Sequence, residues 1–124
     1  MRGMAGKIVE DSGFDLEIDE TRAPCPVVVL RGDLDVAAAP RVRDAALELL
    51  RVGHRCLIID LTALRFIDST GLSILLLVLK RLRAIEGRLA LVCGRGNVLS
   101  VLEISRLTSV FDIFATLEEA SAAR

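Results

Sequence analysis

The chain predicts an α/β domain built on a largely parallel sheet, and three observations carry that prediction. Short apolar runs, Val27–Leu30, Cys56–Leu61 and Leu89–Cys93, alternate with longer segments whose apolar residues recur at helical spacing. Strands of that kind are buried on both faces and are joined by right-handed helical crossovers. The length, 124 residues, is that of one domain. The composition supplies an aliphatic core: 52% of residues are hydrophobic and only 3% aromatic.

The elements follow in order. Residues 1–12 read as a loose N-terminal tail, leaving 13–124 as the domain. Phe14, Leu16 and Ile18 alternate with Asp15, Glu17 and Asp19, the period of a half-buried strand. Pro24 and Pro26 break the chain before Val27–Leu30, and Gly32 ends that second strand. The loop between these strands is short, so they pair antiparallel. Pro40 opens a helix to Arg51 with Val42, Ala45, Ala46 and Leu49 on one face, and Gly53 closes it. Cys56–Leu61 is a buried strand, and 61–67 reads as a connecting loop. A long helix runs from Ser69 to Ile85, closed by Gly87, with Leu72, Leu75, Leu76, Leu79 and Leu82 as its core face. Leu89–Cys93 is a further strand, and Gly94 and Gly96 mark a turn. Val98–Leu107 forms a short helix, Phe111–Ala115 a last strand and Leu117–Ala123 a terminal helix.

Composition excludes several functions. Mean hydropathy is +0.52, yet the longest apolar run, Ile74–Leu79, is far short of the ~18 residues a spanning helix needs. No membrane association is expected. The net charge is −1, from 16 basic and 17 acidic residues, so there is no basic footprint for nucleic acid. A single histidine, His54, sits in a polar turn, which removes His-rich metal sites and two-histidine catalysis. The three cysteines, Cys25, Cys56 and Cys93, are odd in number and widely spaced, as for reduced thiols in a cytoplasmic protein. No stretch near the N-terminus reads as a signal peptide.

Function in open α/β sheets sits beyond the C-terminal strand ends. Two segments fall there: Gly32-Asp33-Leu34-Asp35 and Phe66-Ile67-Asp68-Ser69-Thr70-Gly71. Asp68 is an N-cap candidate, and Ser69 and Thr70 then stand in the first helical turn, where the helix dipole favours negative charge. A phosphate on Ser69 is compatible with the fold and makes a charge switch. From the tripeptide alone, the simple cap is the favoured reading of Asp-Ser-Thr. Ile74, Leu77 and Val78 point away from the core stripe. Either a neighbouring helix covers them or they form a partner-binding patch beside Ser69. Gly94-Arg95-Gly96-Asn97 lacks the lysine of a P-loop and reads as a turn. Asp33 and Asp35 have no third ligand in view and read as a solvated loop, while Cys56 and Cys93 read as inert core. No catalytic constellation, metal set or cofactor motif emerges.

These residues carry a resemblance. Val27-Val-Val-Leu-Arg-Gly-Asp-Leu-Asp35, then Pro40 and a helix, then Leu57-Ile-Ile-Asp-Leu61, then Phe66-Ile-Asp-Ser-Thr-Gly-Leu72, is similar to a STAS domain. More narrowly it resembles the bacterial anti-sigma factor antagonists, over residues 14–120. The resemblance implies a single STAS-like domain with a mixed, mostly parallel sheet of four to five strands and about four helices. It implies a non-enzymatic regulator of transcription whose partner is an anti-sigma factor that is also a serine/threonine kinase with a histidine-kinase-like ATPase fold. Binding frees the sigma factor, phosphorylation ends the binding, and a serine phosphatase restores it. By position the phosphoacceptor is Ser69, with Thr70 secondary. Asp68 is its cap, Asp35 the acidic docking residue, and Gly71 allows a partner backbone to approach. Ser73 stands where many members have Gly, and Ala38 where many have a capping Ser or Thr, which predicts a looser corner before Pro40. A monomer or weak dimer is expected. The alternative is a STAS adaptor without a switch, such as a stressosome-like scaffold or a transporter accessory subunit. A small enzyme or nucleotide-binding protein is the third reading.

Overall fold

The computed structural model describes residues 13–22 and 24–123; the tail expected at 1–12 lies outside them. Nine elements follow in order: β1 (Phe14–Asp19), β2 (Val27–Leu34), α1 (Ala39–Arg51), β3 (Cys56–Ile67), α2 (Ser69–Ala84), β4 (Arg88–Val92), α3 (Asn97–Ile104), β5 (Asp112–Phe114) and α4 (Leu117–Ala122). The sheet order is β1-β2-β3-β4-β5. β1 runs antiparallel to β2, and every later pairing is parallel. Arg31 reaches across to Asp15 at 3.0 Å and Glu17 at 3.1 Å, bracing the edge strand in its register.

One sheet face carries the main core. Val28, Leu30, Leu57, Ile59, Leu61, Leu89 and Leu91 meet Val42, Ala46 and Leu49 of α1, Leu75, Val78 and Leu82 of α2, and Val98 and Leu102 of α3. The other face is thinner: Val27, Ile58, Ala90 and Val92 pack on Ala120 of α4. Strand residues alternate between these two cores, which is why the buried runs read as unbroken.

The largest departures from the sequence reading lie in β2 and β3. Gly32 does not end β2, and residues 61–67 are not a loop but the second half of β3. The partner of residue n is n + 31 at Val27, n + 32 at Gly32 and n + 33 at Leu34, so β3 carries two bulges. Each bulge shifts the side-chain alternation by one. The buried residues become Leu61, Leu64 and Ile67, a spacing of three that belongs to neither a plain strand nor a helix. Gly32 stays in the strand at φ +95°, because any Cβ there would strike the Gly13 carbonyl oxygen at 1.8 Å.

The C-terminal ends of α1, α2 and α3 share one mechanism. After α1, Gly53 N–H donates to Leu50 O and His54 N–H to Leu49 O, a Schellman closure with glycine in the left-handed position. After α2 the same closure is made by Glu86, at φ +58°, rather than by Gly87. Gly87 serves a different purpose: a Cβ on it would meet the Arg55 carbonyl oxygen at 2.3 Å. α3 ends likewise through Arg106, at φ +60°, which is why it stops at Ile104 short of the expected Leu107.

The cysteines also correct the sequence reading. Extending the n + 31 register places Cys25 opposite Cys56, and the two are joined in a disulfide with Cα atoms 5.2 Å apart. Neighbouring strands lie about 4.8 Å apart, so parallel pairing alone brings the two within bonding reach. They are therefore neither free thiols nor separate core residues. Cys93 is free and buried, and burial, with the Asp60 carboxylate nearby, pushes its thiol up.

Candidate functional site

The C-terminal ends of β2 and β3 form one corner of the molecule. Asp68 N–H donates to Leu34 O at 3.2 Å, tying the strand ends together before the chain turns into α2. Asp68 is the N-cap in extended conformation, and its Oδ1 accepts from Gly71 N–H at 2.9 Å. Leu72 N–H donates to Asp68 O at 3.0 Å, the first helical bond. With the Asp68 side chain turned inward to the backbone, Ser69 stands at the first helical position, exposed. Thr70 beside it is half-buried. Ser73, one turn on, is exposed and its hydroxyl donates to Ser69 O at 2.9 Å.

Asp35 supplies the second half of the corner. Its Oδ1 accepts from Ala37 N–H and Ala38 N–H, both at 3.0 Å, and its carbonyl from Ala39 N–H at 2.8 Å. Ala38, the formal N-cap of α1, makes no side-chain bond. Asp35 thus holds the start of α1 from three residues upstream, and the corner expected to be loose is pinned.

Two of the partner-binding residues expected from the sequence are internal. Gly71 is buried, and a Cβ on it would lie 2.8 Å from both Ile67 Cγ1 and Leu34 O. Its smallness lets α2 sit on the strand ends rather than admitting a partner. Val78 is 0% exposed within the main core. Leu72 and Leu76, expected in the core, are half-buried at its margin. Ile74 and Leu77 are half-buried, Ile74 resting on the same core.

Sequence reasoning passed over two exposed apolar side chains at this corner. Val36, next to Asp35, is 68% exposed, and Phe66, two residues before Asp68, is 49% exposed. A β-branched and an aromatic residue flanking the motif aspartates were visible signals. Which side of the strand end Phe66 faces depended on the bulges. Asp33, its partner in the register, pairs with Arg65 at 3.4 Å. His54 lies at the opposite end of the sheet beside Glu20. Among the described residues no group of three or more His, Cys, Asp or Glu is placed to hold a metal ion. No described helix is long and apolar enough to cross a membrane.

A single mixed sheet with three helices on one face, and a capped serine at the strand-to-helix corner, defines a class of small regulatory α/β domain. The sequence matches the STAS domain family over residues 17–120, and the chain belongs to that family. It is 34% identical to BtrV of Bordetella bronchiseptica, named as a candidate anti-sigma factor antagonist, over 97 residues covering 78% of this chain and 84% of the relative. It is 30% identical to the anti-sigma-B factor antagonist of Listeria monocytogenes over 101 residues, 81% of this chain and 88% of that one. Among solved structures it resembles the Bacillus cell fate determinant SpoIIAA in its phosphorylated form, with TM-score 0.68, 26% identity, and coverage of 86% and 96% of the two chains.

Proposed function

We propose that this protein is an anti-sigma factor antagonist that works by switching partners. In its unmodified form the corner around Ser69 binds an anti-sigma factor that is also a serine/threonine kinase, and so releases a sigma factor. Phosphorylation of Ser69 ends the binding, and a serine phosphatase resets it. The protein performs no catalytic step of its own. The observation that carries the reading is the exposed Ser69 hydroxyl at the first position of α2, with the neighbouring Asp68 carboxylate committed to Gly71 N–H.

The chemistry follows from that arrangement. A phosphate on Ser69 sits where helix N–H groups and the dipole accommodate negative charge, so the domain stays folded. It adds about −1.5 to −2 charge to a surface that already holds the Asp68 and Asp35 carboxylates. A partner that packs closely here must then desolvate a dianion or face like charge, which costs several kcal/mol. Val36 and Phe66 supply apolar contact at the same corner, and Ile74 and Leu77 extend it along α2. Thr70, half-buried, is the lesser acceptor.

The test is a pair of measurements with the cognate kinase. With ATP, one phosphate appears on the wild-type chain and none on Ser69→Ala. Ser69→Asp binds the kinase about 100-fold more weakly than wild type, the factor that about 2.7 kcal/mol corresponds to. Normal phosphorylation of Ser69→Ala, or equal affinity of wild type and Ser69→Asp, overturns the proposal.

A further inference from the structure

The other end of the sheet holds a feature that the switch does not use. An open cavity of about 620 Å³ lies at the N-terminal ends of β3 and β4, against α4. Cys25 and Cys56, joined in their disulfide, stand in its wall, and both are half-buried rather than enclosed. A disulfide that a thiol can reach exchanges readily, whereas one sealed in a core resists reduction. Arg88 is the register partner of Cys56, so the two side chains leave the sheet on the same face, and Arg88 lines the same cavity. A cation beside a sulfur favours its thiolate, the form in which a sulfur leaves during exchange.

The bond is an addition to the sheet rather than its foundation. Ile58 N–H donates to Pro26 O at 3.0 Å, and the parallel ladder runs on from the Val27–Ile58 pair. The two sulfurs therefore stay neighbours when the bond is open, and it can close again without refolding. No third thiol competes, because Cys93 is buried just past the far end of β4. What the bond does hold is the thin face of the sheet. Cys25 packs on the small core of Val27, Ile58, Ala90 and Val92, the core that also takes Ala120 of α4. α4 has six residues and buries only Ala120. A segment with so few buried contacts opens locally at low cost. Ala120 and Ser121 form the wall of the cavity that faces the disulfide from α4.

We propose that Cys25 and Cys56 form a reversible redox clamp: a dithiol reductant opens the bond in the folded protein and loosens the hold of the sheet on α4. A thiolate of the reductant attacks one sulfur, forms a mixed disulfide and releases the other sulfur as a thiolate. The second thiol of the reductant then displaces the first sulfur. Two electrons pass to the protein, the dithiol becomes a disulfide, and its two protons end on Cys25 and Cys56. The pair lies at the strand ends opposite Ser69, so the clamp stands independently of the phosphorylation reading.

The test treats the native, full-length protein with dithiothreitol as the dithiol, without denaturant. Thiol alkylation and peptide mass mapping follow the bond, and amide hydrogen exchange follows the fold. The bond should open in the folded protein and form again when oxidised glutathione replaces the dithiol. In the reduced protein the amides of Leu117–Ala122 should exchange about tenfold faster, while those of Ser69–Ala84 keep their rates. Cys93→Ala should respond as wild type does, and Cys25→Ser should show the fast exchange with or without reductant. The proposal is overturned if the bond resists dithiothreitol until urea unfolds the chain, which is the behaviour of a purely structural disulfide. It is overturned equally if oxidised glutathione does not restore the Cys25–Cys56 pair, or if α4 exchanges at the same rate in both forms.

Discussion

Replacing Gly71 by alanine tests whether the corner that carries Ser69 is positioned by packing. In an ordinary helix the change is favourable by up to about 1 kcal/mol, because alanine loses less backbone entropy. Here the added Cβ would lie 2.8 Å from Ile67 Cγ1, 2.8 Å from Leu34 O and 2.9 Å from Leu34 Cγ. Ordinary contact begins near 3.5 Å, so α2 must move off the strand ends by several tenths of an ångström. One of the three atoms is a backbone oxygen that also accepts from Asp68 N–H, so it cannot rotate aside. Overpacking of this kind costs about 1–3 kcal/mol. The two opposing effects leave a net loss of about 1–2 kcal/mol. Urea unfolding followed by circular dichroism measures it as a lower midpoint at unchanged slope. The same displacement carries Ser69 with it, so kinase affinity should fall as well. A Gly71→Ala protein as stable as wild type, or more so, would refute the claim that Gly71 is held by contact with β2 and β3.

Three other predictions rest on separate features. The Cys25–Cys56 bond spans 31 residues, and a loop of that size contributes about 3–4 kcal/mol by restricting the unfolded chain; Cys25→Ser, or full reduction, should lower the urea midpoint accordingly. Peptide mass mapping without reductant checks the pairing itself. Arg106 closes α3 at φ +60°, so Arg106→Gly should be neutral to stabilising by about 1 kcal/mol, in contrast to most glycine substitutions. Burial raises the folded-state Cys93 thiol above its ordinary value of 9.0, so its contribution is complete below that pH and is lost as pH rises, because the unfolded thiol ionises first. Stability curves above pH 9 should fall less steeply in Cys93→Ala than in wild type.

Much of the architecture was legible because its signals are local. Phe14–Asp19 alternates with period two, Val42, Ala46 and Leu49 recur with a helical period, and Pro40 sits just inside α1. The Asp68 cap and the exposed Ser69 were readable for the same reason, since an N-cap depends on residues within one turn of itself. What was misread depends on neighbours distant in sequence. The second half of β3 reads as a loop in the sequence because its two bulges exist only against β2. The anchoring of α1 by Asp35, through Ala37 and Ala38 N–H two and three residues on, is a local signal by contrast, one that the docking reading of Asp35 leaves out.

The order of elements, the aliphatic core and a serine at the start of the long helix are all legible in the chain alone. Period and capping are properties of a few consecutive residues, and they survive without knowledge of the rest of the chain. Which apolar residues are left outside depends on how the elements pack. The packed fold buries Val78 and Gly71, exposes Val36 and Phe66, and joins Cys25 to Cys56. Each of those outcomes turns on strand register and on which sheet face a helix covers. Both are set by pairings between residues tens of positions apart, where a shift of one residue reverses the face.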